Sequence, residues 1–339
     1  MVTTCLSSRA SQPMATQAAA PAAVCTALMP GAYISLTGTA REEQRALHGM
    51  EIAIKDFTLL APITNGENLH SRDPKMFAIL RIRAAATAAF RDALNAEGFF
   101  EMHSPAVRRA EEGDAGLLRL NWFGEDAVLT GSPRRYLIQG AAALDRVMEI
   151  SQAFSAARHN SPRHLAGYTR LDFEMNYINN ITDVMAMTEK VINALISGLN
   201  VDCADEVALL GADLPKAGAI PAITFTEAMS VLGKDNSQPD LDPTDEAKLS
   251  AYANKTLGSE LLFVTHLPAE RRPVYEKAAP DTELSEGFVL LCRSGGEHVS
   301  VNMPRHGGCG IGLERLLMKL LQLPDIRLAS PFPRDMHSI

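Results

Sequence analysis

Gly307, Gly308, Gly310 and Gly312 crowd four glycines into six positions, and Glu314 and Arg315 follow in the first turn of an expected helix. Without Cβ atoms such a run lets the backbone approach a flat ligand closely, with an acid and a cation at its end. The plainer reading of the same residues is a tight turn followed by a surface Glu–Arg pair. His159 and His164 share a proline-containing loop, but no third ligand stands beside them, so a metal centre is not expected there. Cys5, Cys25, Cys203, Cys292 and Cys309 are widely separated and odd in number. That fits neither a disulfide framework nor the paired spacing of a zinc site, and the cysteines read as reduced thiols.

The 339-residue chain is 46% hydrophobic and 21% charged, with a formal net charge of −8. This is apolar material enough for one large core or two unequal domains, and it offers no broad basic field for sequence-independent binding to nucleic acid. No apolar run approaches the ~18 residues of a membrane span and no secretory layout is present, so the expected location is cytoplasmic, with no membrane partner. Residues 1–30 are rich in Ala, Ser and Thr and hold one basic residue, Arg9. They read as a disordered tail, with a poor mitochondrial transit peptide as the alternative.

Two strands are expected in AYISLTGTA and MEIAIKDFTLLAP, around a polar bend at Arg41 to Gln44; this stretch, 31–66, is too small for a domain of its own. Asp73 as N-cap and Pro74 open a helical pattern from Lys75 to Glu97, stopped by Gly98, with Ile79, Ile82, Ala86, Phe90 and Leu94 on one face. FFEMHSPAV, AVLTGS, RVMEISQAF and RLDFEMNYI predict short strands without regular intervening helices. Thr182 is the expected cap of a helix from Asp183 to Leu199. Residues 204–280 read as an insertion packed on the sheet, with a helix from Glu227 to Leu232 behind Thr226, another from Thr244 to Leu257 ended by Gly258, and the strand LLFVTHL. The strands FVLLC and HVSV, a glycine-rich turn and a helix from Leu313 to Leu321 follow. Strands outnumber βαβ units, so the predicted class is α+β with a largely antiparallel sheet.

The string HGGCGIGLERLLMKLLQLPDIRLASPFPRD, His306 to Asp335, resembles the third signature motif of aspartyl- and asparaginyl-tRNA synthetases of class II, and GFFEMHSPAV resembles the end of their first motif. EEGDAG, WFGEDAVLTGSPRRYL, RVMEISQAFSAARHNSPRHLAGYTRLDFEMNYI and ITFTEAMSVL continue the likeness in family order, over roughly residues 31 to 339. The resemblance implies a class II catalytic domain at 67–339 preceded by remnant strands of an OB-type anticodon-binding barrel. It implies ATP and Mg2+ as cofactors, an amino acid or similar carboxylate as substrate, and a homodimer built on the first motif, which ends at Pro105. It further implies that Gly308, Gly310, Gly312 and Phe154 line the nucleotide. Arg315, Arg163 and His164 would meet its phosphates, where cations suit the charge. Glu112 and Asp172 would face the substrate ammonium, as paired carboxylates should. Arg134 and Leu137 would stand beside the substrate, Leu137 in the asparaginyl pattern where aspartyl enzymes carry lysine.

The likeness also breaks. Where the family reads FRAE in its second motif, this chain has Phe154-Ser155-Ala156-Ala157, without the arginine for the α-phosphate or the acid beside the adenine. Loss of such a donor costs on the order of 10²–10³ in rate; Arg158 is the residue that would substitute from another angle. Between Ser285 and His306 the segment is short, with Glu297 or His298 near the family's metal-binding acid and no clear counterpart of the substrate arginine. An OB barrel needs about five strands, so a tRNA partner would not be chosen by its anticodon. Three functions remain open: an ATP-dependent ligase acting outside normal translation, a degenerate paralogue serving as a binding or regulatory subunit, and an enzyme using the pocket without ATP, for example on aminoacyl-tRNA.

Overall fold

The computed structural model describes residues 33–42, 50–61, 73–158, 161–235, 240–268, 284–292, 296–302 and 306–337, the side chains of 33, 50–52, 61, 115 and 296–302 excepted. The expected tail, the bend residues after Glu42, His159 and positions 269–280 of the insertion-like region lie outside the described residues. The chain divides into two compact units, Met1–Asp73 and Pro74–Ile339. The first contains an antiparallel hairpin of β1 (Tyr33–Glu42) and β2 (Met50–Ala61).

The second unit runs α1 (Pro74–Ala96), β3 (Phe100–Glu101), β4 (Val107–Arg109), β5 (Arg119–Trp122), β6 (Glu125–Leu129), α2 (Arg134–Leu144), β7 (Arg146–Phe154), β8 (Gly167–Asn176) and α3 (Ile181–Asp202). It continues with α4 (Ala204–Leu209), β9 (Ala222–Thr224), α5 (Phe225–Leu232), α6 (Pro243–Tyr252), β10 (Leu261–Thr265), β11 (Phe288–Cys292), β12 (Gly296–Asn302), β13 (His306–Gly312) and α7 (Leu313–Leu320). Eight strands form one sheet in the order β3-β7-β8-β13-β12-β11-β10-β9, antiparallel except where β3 meets β7 and β9 meets β10. A separate sheet joins β4, β6 and β5. The architecture is α+β, as the strand pattern predicts.

Side chains alternate across a strand, and here the alternation assigns the two sheet faces different work. Leu171, Phe173 and Met175 of β8, Cys309 and Ile311 of β13, and Phe263, Phe288 and Leu290 farther along bury in one core with the apolar stripes of α1 and α3. The alanines of α1 allow its partner close: a Cβ on Gly198 of α3 would sit 3.3 Å from that of Ala89. On the other face, α2 covers one end, where Leu137 and Ala141 meet Val147. At the far end α5 and α6 cover Leu262, Val264, Val289 and Leu291 with Phe225, Met229 and Leu249. Between these ends the outward positions of β7, β8 and β13 carry mostly glycine and polar residues.

Several local expectations are revised. The glycine run is not a turn: it is β13, an interior strand of the sheet, and glycine there marks a close approach by neighbouring groups. Helix α2 lies between β6 and β7, where strands without helices were expected. The cap of α3 is Asn180, whose side chain accepts from the Thr182 N–H at 2.8 Å. The cap of α5 is Thr224, in a reciprocal box with Glu227. Strands β9 and β10 belong to the main sheet, so part of the insertion-like region extends the sheet instead of packing on it.

Glu314, 3% exposed, ties these layers together. Arg83 of α1 lies 2.9 Å from its Oε1, and the Thr169 N–H of β8 donates to Oε2 at 2.9 Å. Arg83 also donates to Thr169 Oγ1 and to the Ala329 carbonyl. Removing one member of a buried ion pair strands its partner in a dry site, at a cost of about 3–5 kcal/mol. Glu314→Ala should therefore lose about 3 kcal/mol or more of stability in urea unfolding; a change below about 1 kcal/mol would show that the pair is not structural.

Candidate functional site

On the open face, antiparallel pairing sets residues of three strands in rows. Ser151, Arg170 and Gly312 form one row; Glu149, Asp172 and Gly310 the next; Val147, Glu174 and Gly308 the third. Directly paired residues share a face, so the charged side chains of β8 lie between the acid of β7 and the bare backbone of β13. Arg170 grips Asp172, with Nε 2.9 Å from Oδ2 and Nη2 2.7 Å from Oδ1. A Cβ on Gly310 would fall 1.8 Å from Arg170 Nη2 and 2.3 Å from Asp172 Oδ1. A Cβ on Gly308 would fall 2.0 Å from the Phe173 carbonyl oxygen and 2.3 Å from Glu174 Oε2. At Gly308 a Cβ is excluded chiefly by the backbone of β8, whereas at Gly310 it would displace the Arg170–Asp172 pair that lies across β13.

Glu174, 1% exposed, has Arg134 Nη2 at 3.3 Å and His306 Nδ1 at 2.8 Å. Arg134 comes from the first turn of α2 and also approaches the Gly308 carbonyl at 3.5 Å. Glu149 accepts from the Ser104 N–H at 2.9 Å and hydroxyl at 3.0 Å. Its Oε2 and the Ser151 hydroxyl are buried without a hydrogen-bond partner among the described residues, an arrangement that ordinary cores avoid and binding sites retain.

A second group of charges collects beside β13. Arg315 on α7 donates to the Arg163 carbonyl at 3.4 Å, and Arg163 Nη2 lies 2.6 Å from Glu246 Oε2 on α6. Burial pushes the Lys319 ammonium below the usual lysine value; Arg163 lowers it further, Glu246 and Cys292 oppose the shift, and Arg315 adds to it. Lys319 therefore feels the charges of Arg163, Glu246 and Arg315. His164 is set in the same segment, its Nδ1 2.6 Å from the Ser161 hydroxyl.

The expected site residues do not all converge. Gly308, Gly310, Gly312, Asp172 and Arg134 meet on the open face, and Arg163, His164 and Arg315 meet in the cationic group. Leu137 is buried in the apolar cluster under α2. Phe154 is out of phase with Ser151 along β7, and its ring lies against Gly167. Glu112 is exposed beside Gly113, whose φ of 96° makes the turn, and Arg158 is exposed beyond β7. Glu149, Arg170, Glu174 and Lys319 were not singled out from sequence; the period-2 alternation of RLDFEM, with charges at Arg170, Asp172 and Glu174, carried the signal for two of them. Among the described residues no three His, Cys, Asp or Glu side chains group so as to hold a metal ion; a magnesium ion carried on ATP phosphates takes only one or two carboxylates from the protein. Glu297 is opposite Leu290 in the β11–β12 register, and its side chain lies outside the described ones. No helix among the described residues is long and apolar enough to cross a membrane.

Residues 64–302 and 296–336 match the family model "tRNA synthetases class II (D, K and N)". The chain is 30% identical to the aspartate–tRNA(Asp/Asn) ligase of Deinococcus radiodurans over 370 positions, covering 90% of this chain and 85% of that one. It is 33% identical to the aspartate–tRNA(Asp) ligase of Pyrococcus horikoshii over 305 positions, covering 78% of this chain and 69% of that one. In fold it is similar to the Pyrococcus horikoshii asparaginyl-tRNA synthetase solved with asparaginyl-adenylate, with a TM-score of 0.82 at 22% identity, over 94% of this chain and 86% of the other. With the glycine strand, the acid rows and the cationic group all set on this scaffold, the chain belongs to the class II tRNA synthetases of the aspartyl, asparaginyl and lysyl group.

Proposed function

We propose that this chain is an ATP-dependent ligase of the aspartyl/asparaginyl-synthetase type, which activates an amino acid or related carboxylate as its adenylate and passes it to an acceptor, in the cytoplasm and outside ordinary translation. The observation that carries this reading is the convergence of Arg163, Arg315 and Lys319 beside the glycine strand. In such a reaction a substrate carboxylate oxygen attacks the α-phosphorus of ATP, the bond to the β-phosphate breaks, and pyrophosphate leaves with the negative charge. Two guanidiniums and an ammonium fixed where that charge accumulates stabilise the leaving group without reorganising. The partly buried setting strengthens their pull on phosphate, because less water screens it.

Ser155 and Ala157, in place of the family's arginine and acid, support a role apart from protein synthesis. They also favour a second reading, in which the chain keeps the fold and nucleotide site as a binding or regulatory subunit. Any tRNA is proposed to be met by the catalytic unit, without recognition of its anticodon. A homodimer is proposed through the stretch from Lys75 to Pro105. There Phe77 of α1 and Phe100 of the edge strand β3 are both exposed, and an uncovered edge strand with apolar side chains invites a partner.

Incubation of the purified chain with ATP, magnesium and each amino acid in turn should give pyrophosphate exchange with at least one of them. Silence with all of them, together with measurable ATP binding, would establish the binding-subunit reading instead. Lys319→Met should weaken ATP binding about tenfold, as loss of one charge-assisted contact does. It should also raise the melting temperature, by on the order of 2 °C. The sign follows from the lowered lysine value: folding disfavours the protonated form at every pH below the folded-state value, and that penalty fades as pH rises through it. Light scattering at micromolar concentration should report a dimer; a monomer would refute the proposed interface.

A further inference from the structure

Glu149, Asp172 and Glu174 lie on the open face in adjacent rows, and cations answer only the latter two. Arg170 holds both oxygens of Asp172. Arg134 Nη2 lies 3.3 Å from Glu174 Oε2, and His306 Nδ1 lies 2.8 Å from Glu174 Oε1. Glu149 differs. It is 3% exposed, and its Oε1 accepts from the Ser104 N–H at 2.9 Å and hydroxyl at 3.0 Å, both neutral donors. No cation pairs with it among the described residues. Its Oε2 has no hydrogen-bond partner among them, and neither has the Ser151 hydroxyl. A buried acid with neither a cation nor a full set of donors opposes folding, and such a group persists where a ligand completes it.

The chemistry of the missing partner follows from what these two side chains can accept. Glu149 and Ser151 are two positions apart on β7 and share a face, which sets them roughly 6–7 Å apart along the strand. Two N–H···O contacts of about 2.9 Å meeting at one nitrogen span nearly that distance. A carboxylate oxygen only accepts, and a hydroxyl oxygen accepts as well, so the partner must donate twice. An ammonium carries three N–H donors and also the positive charge that Glu149 lacks. A second carboxylate would be repelled, and an amide would leave the charge unanswered. The row gives an independent reason. Glu149 is directly opposite Asp172, the acid to which the family likeness assigns the substrate ammonium, and Arg170 already offsets the charge of Asp172. An ammonium moved over by one strand stays in the same row and meets the acid whose charge is unopposed.

We infer that Glu149 and Ser151 form the subsite for the substrate's ammonium. Glu149 Oε2 and the Ser151 hydroxyl oxygen each accept one of its N–H bonds, while Ser104 holds the other carboxylate oxygen in place. Asp172 stays with Arg170 and is not the principal acceptor. The substrate is thereby an amine-bearing carboxylate, an amino acid and not a plain organic acid. This inference rests on the adenylate-forming reading above and narrows its substrate class.

Titration calorimetry of the purified full chain with adenosine, glycyl-sulfamoyladenosine and acetyl-sulfamoyladenosine tests it. The two analogues carry a sulfamoyl group in place of the adenylate phosphate and differ from each other only by the ammonium. The wild type should bind adenosine, and should bind the glycyl analogue at least tenfold more tightly than the acetyl one. Glu149→Gln keeps an acceptor for Ser104 and removes the charge. It should lower affinity for the glycyl analogue roughly 10- to 100-fold and leave that for the acetyl analogue unchanged. Ser151→Ala should cut the same preference several-fold, and it decides if the melting curve of Glu149→Gln shows an unfolded protein. Full preference in the folded variant overturns the inference, with a trapped water as the partner of Glu149. Equal affinity of the wild type for the two analogues, or no binding of the glycyl analogue where adenosine binds, overturns the inference alone. Absence of binding by adenosine and both analogues overturns it together with the nucleotide-site reading.

Discussion

The buried carboxylate of Glu314 is the constraint on which the catalytic unit turns. It sits in the first turn of α7, where the backbone leaves β13, and it is reached by Arg83 from α1 and by the Thr169 N–H from β8. A charge taken out of water must be paired or it opposes folding, so these three elements can be arranged in few other ways. The neighbour of Glu314 inherits the consequence. Successive residues on a helix point about 100° apart, and burying Glu314 inward turns Arg315 aside to the Arg163 segment. The same turn that locks the sheet to its helices sets Arg315 in the cationic group beside β13.

The open face follows from how the helices divide their labour. One side of the sheet is covered by α1 and α3, while on the other α2 takes one end and α5 with α6 the opposite end. The strands between are left without apolar cover, and their outward positions carry Glu149, Arg170, Asp172 and Glu174. Each of these is tolerated because a neighbour answers it: Ser104 for Glu149, Arg170 for Asp172, Arg134 and His306 for Glu174. Glycine at 310 is what allows the Arg170–Asp172 pair to lie flat, since any Cβ there would overlap its atoms.

Much of this was legible in advance, and the misses have identifiable causes. The stripes of α1 and α3 are long and strongly periodic, and both helices lie where the pattern puts them. Their exact starts depend on which of several nearby polar residues turns back to cap, which is why Asn180 and Thr224 do the work expected of Thr182 and Thr226. The segment Arg134–Leu144 has a run of alanines but no stop signal before Asp145, and its helix is settled by packing of Leu137 and Ala141 on Val147. The glycine run looks like a turn because glycine carries no side-chain period; only pairing with β8 and β12 makes it a strand. Arg170 was passed over because its meaning is its register against Ser151 and Gly312, which no local spacing encodes.

By itself, the amino-acid sequence determined the α+β class, the family, the principal helices, and the presence of Arg163 and Arg315 in motifs suited to phosphate. These are carried by residue type and by short-range order, which survive in a linear reading. Tertiary structure alone decided that Lys319 belongs with those arginines, that Leu137 is core, that Glu112 is exposed, and that Asp172 is answered by Arg170. Each of those depends on strand register or on which helix face meets the sheet, and a shift of one residue would send the same side chains to the opposite face.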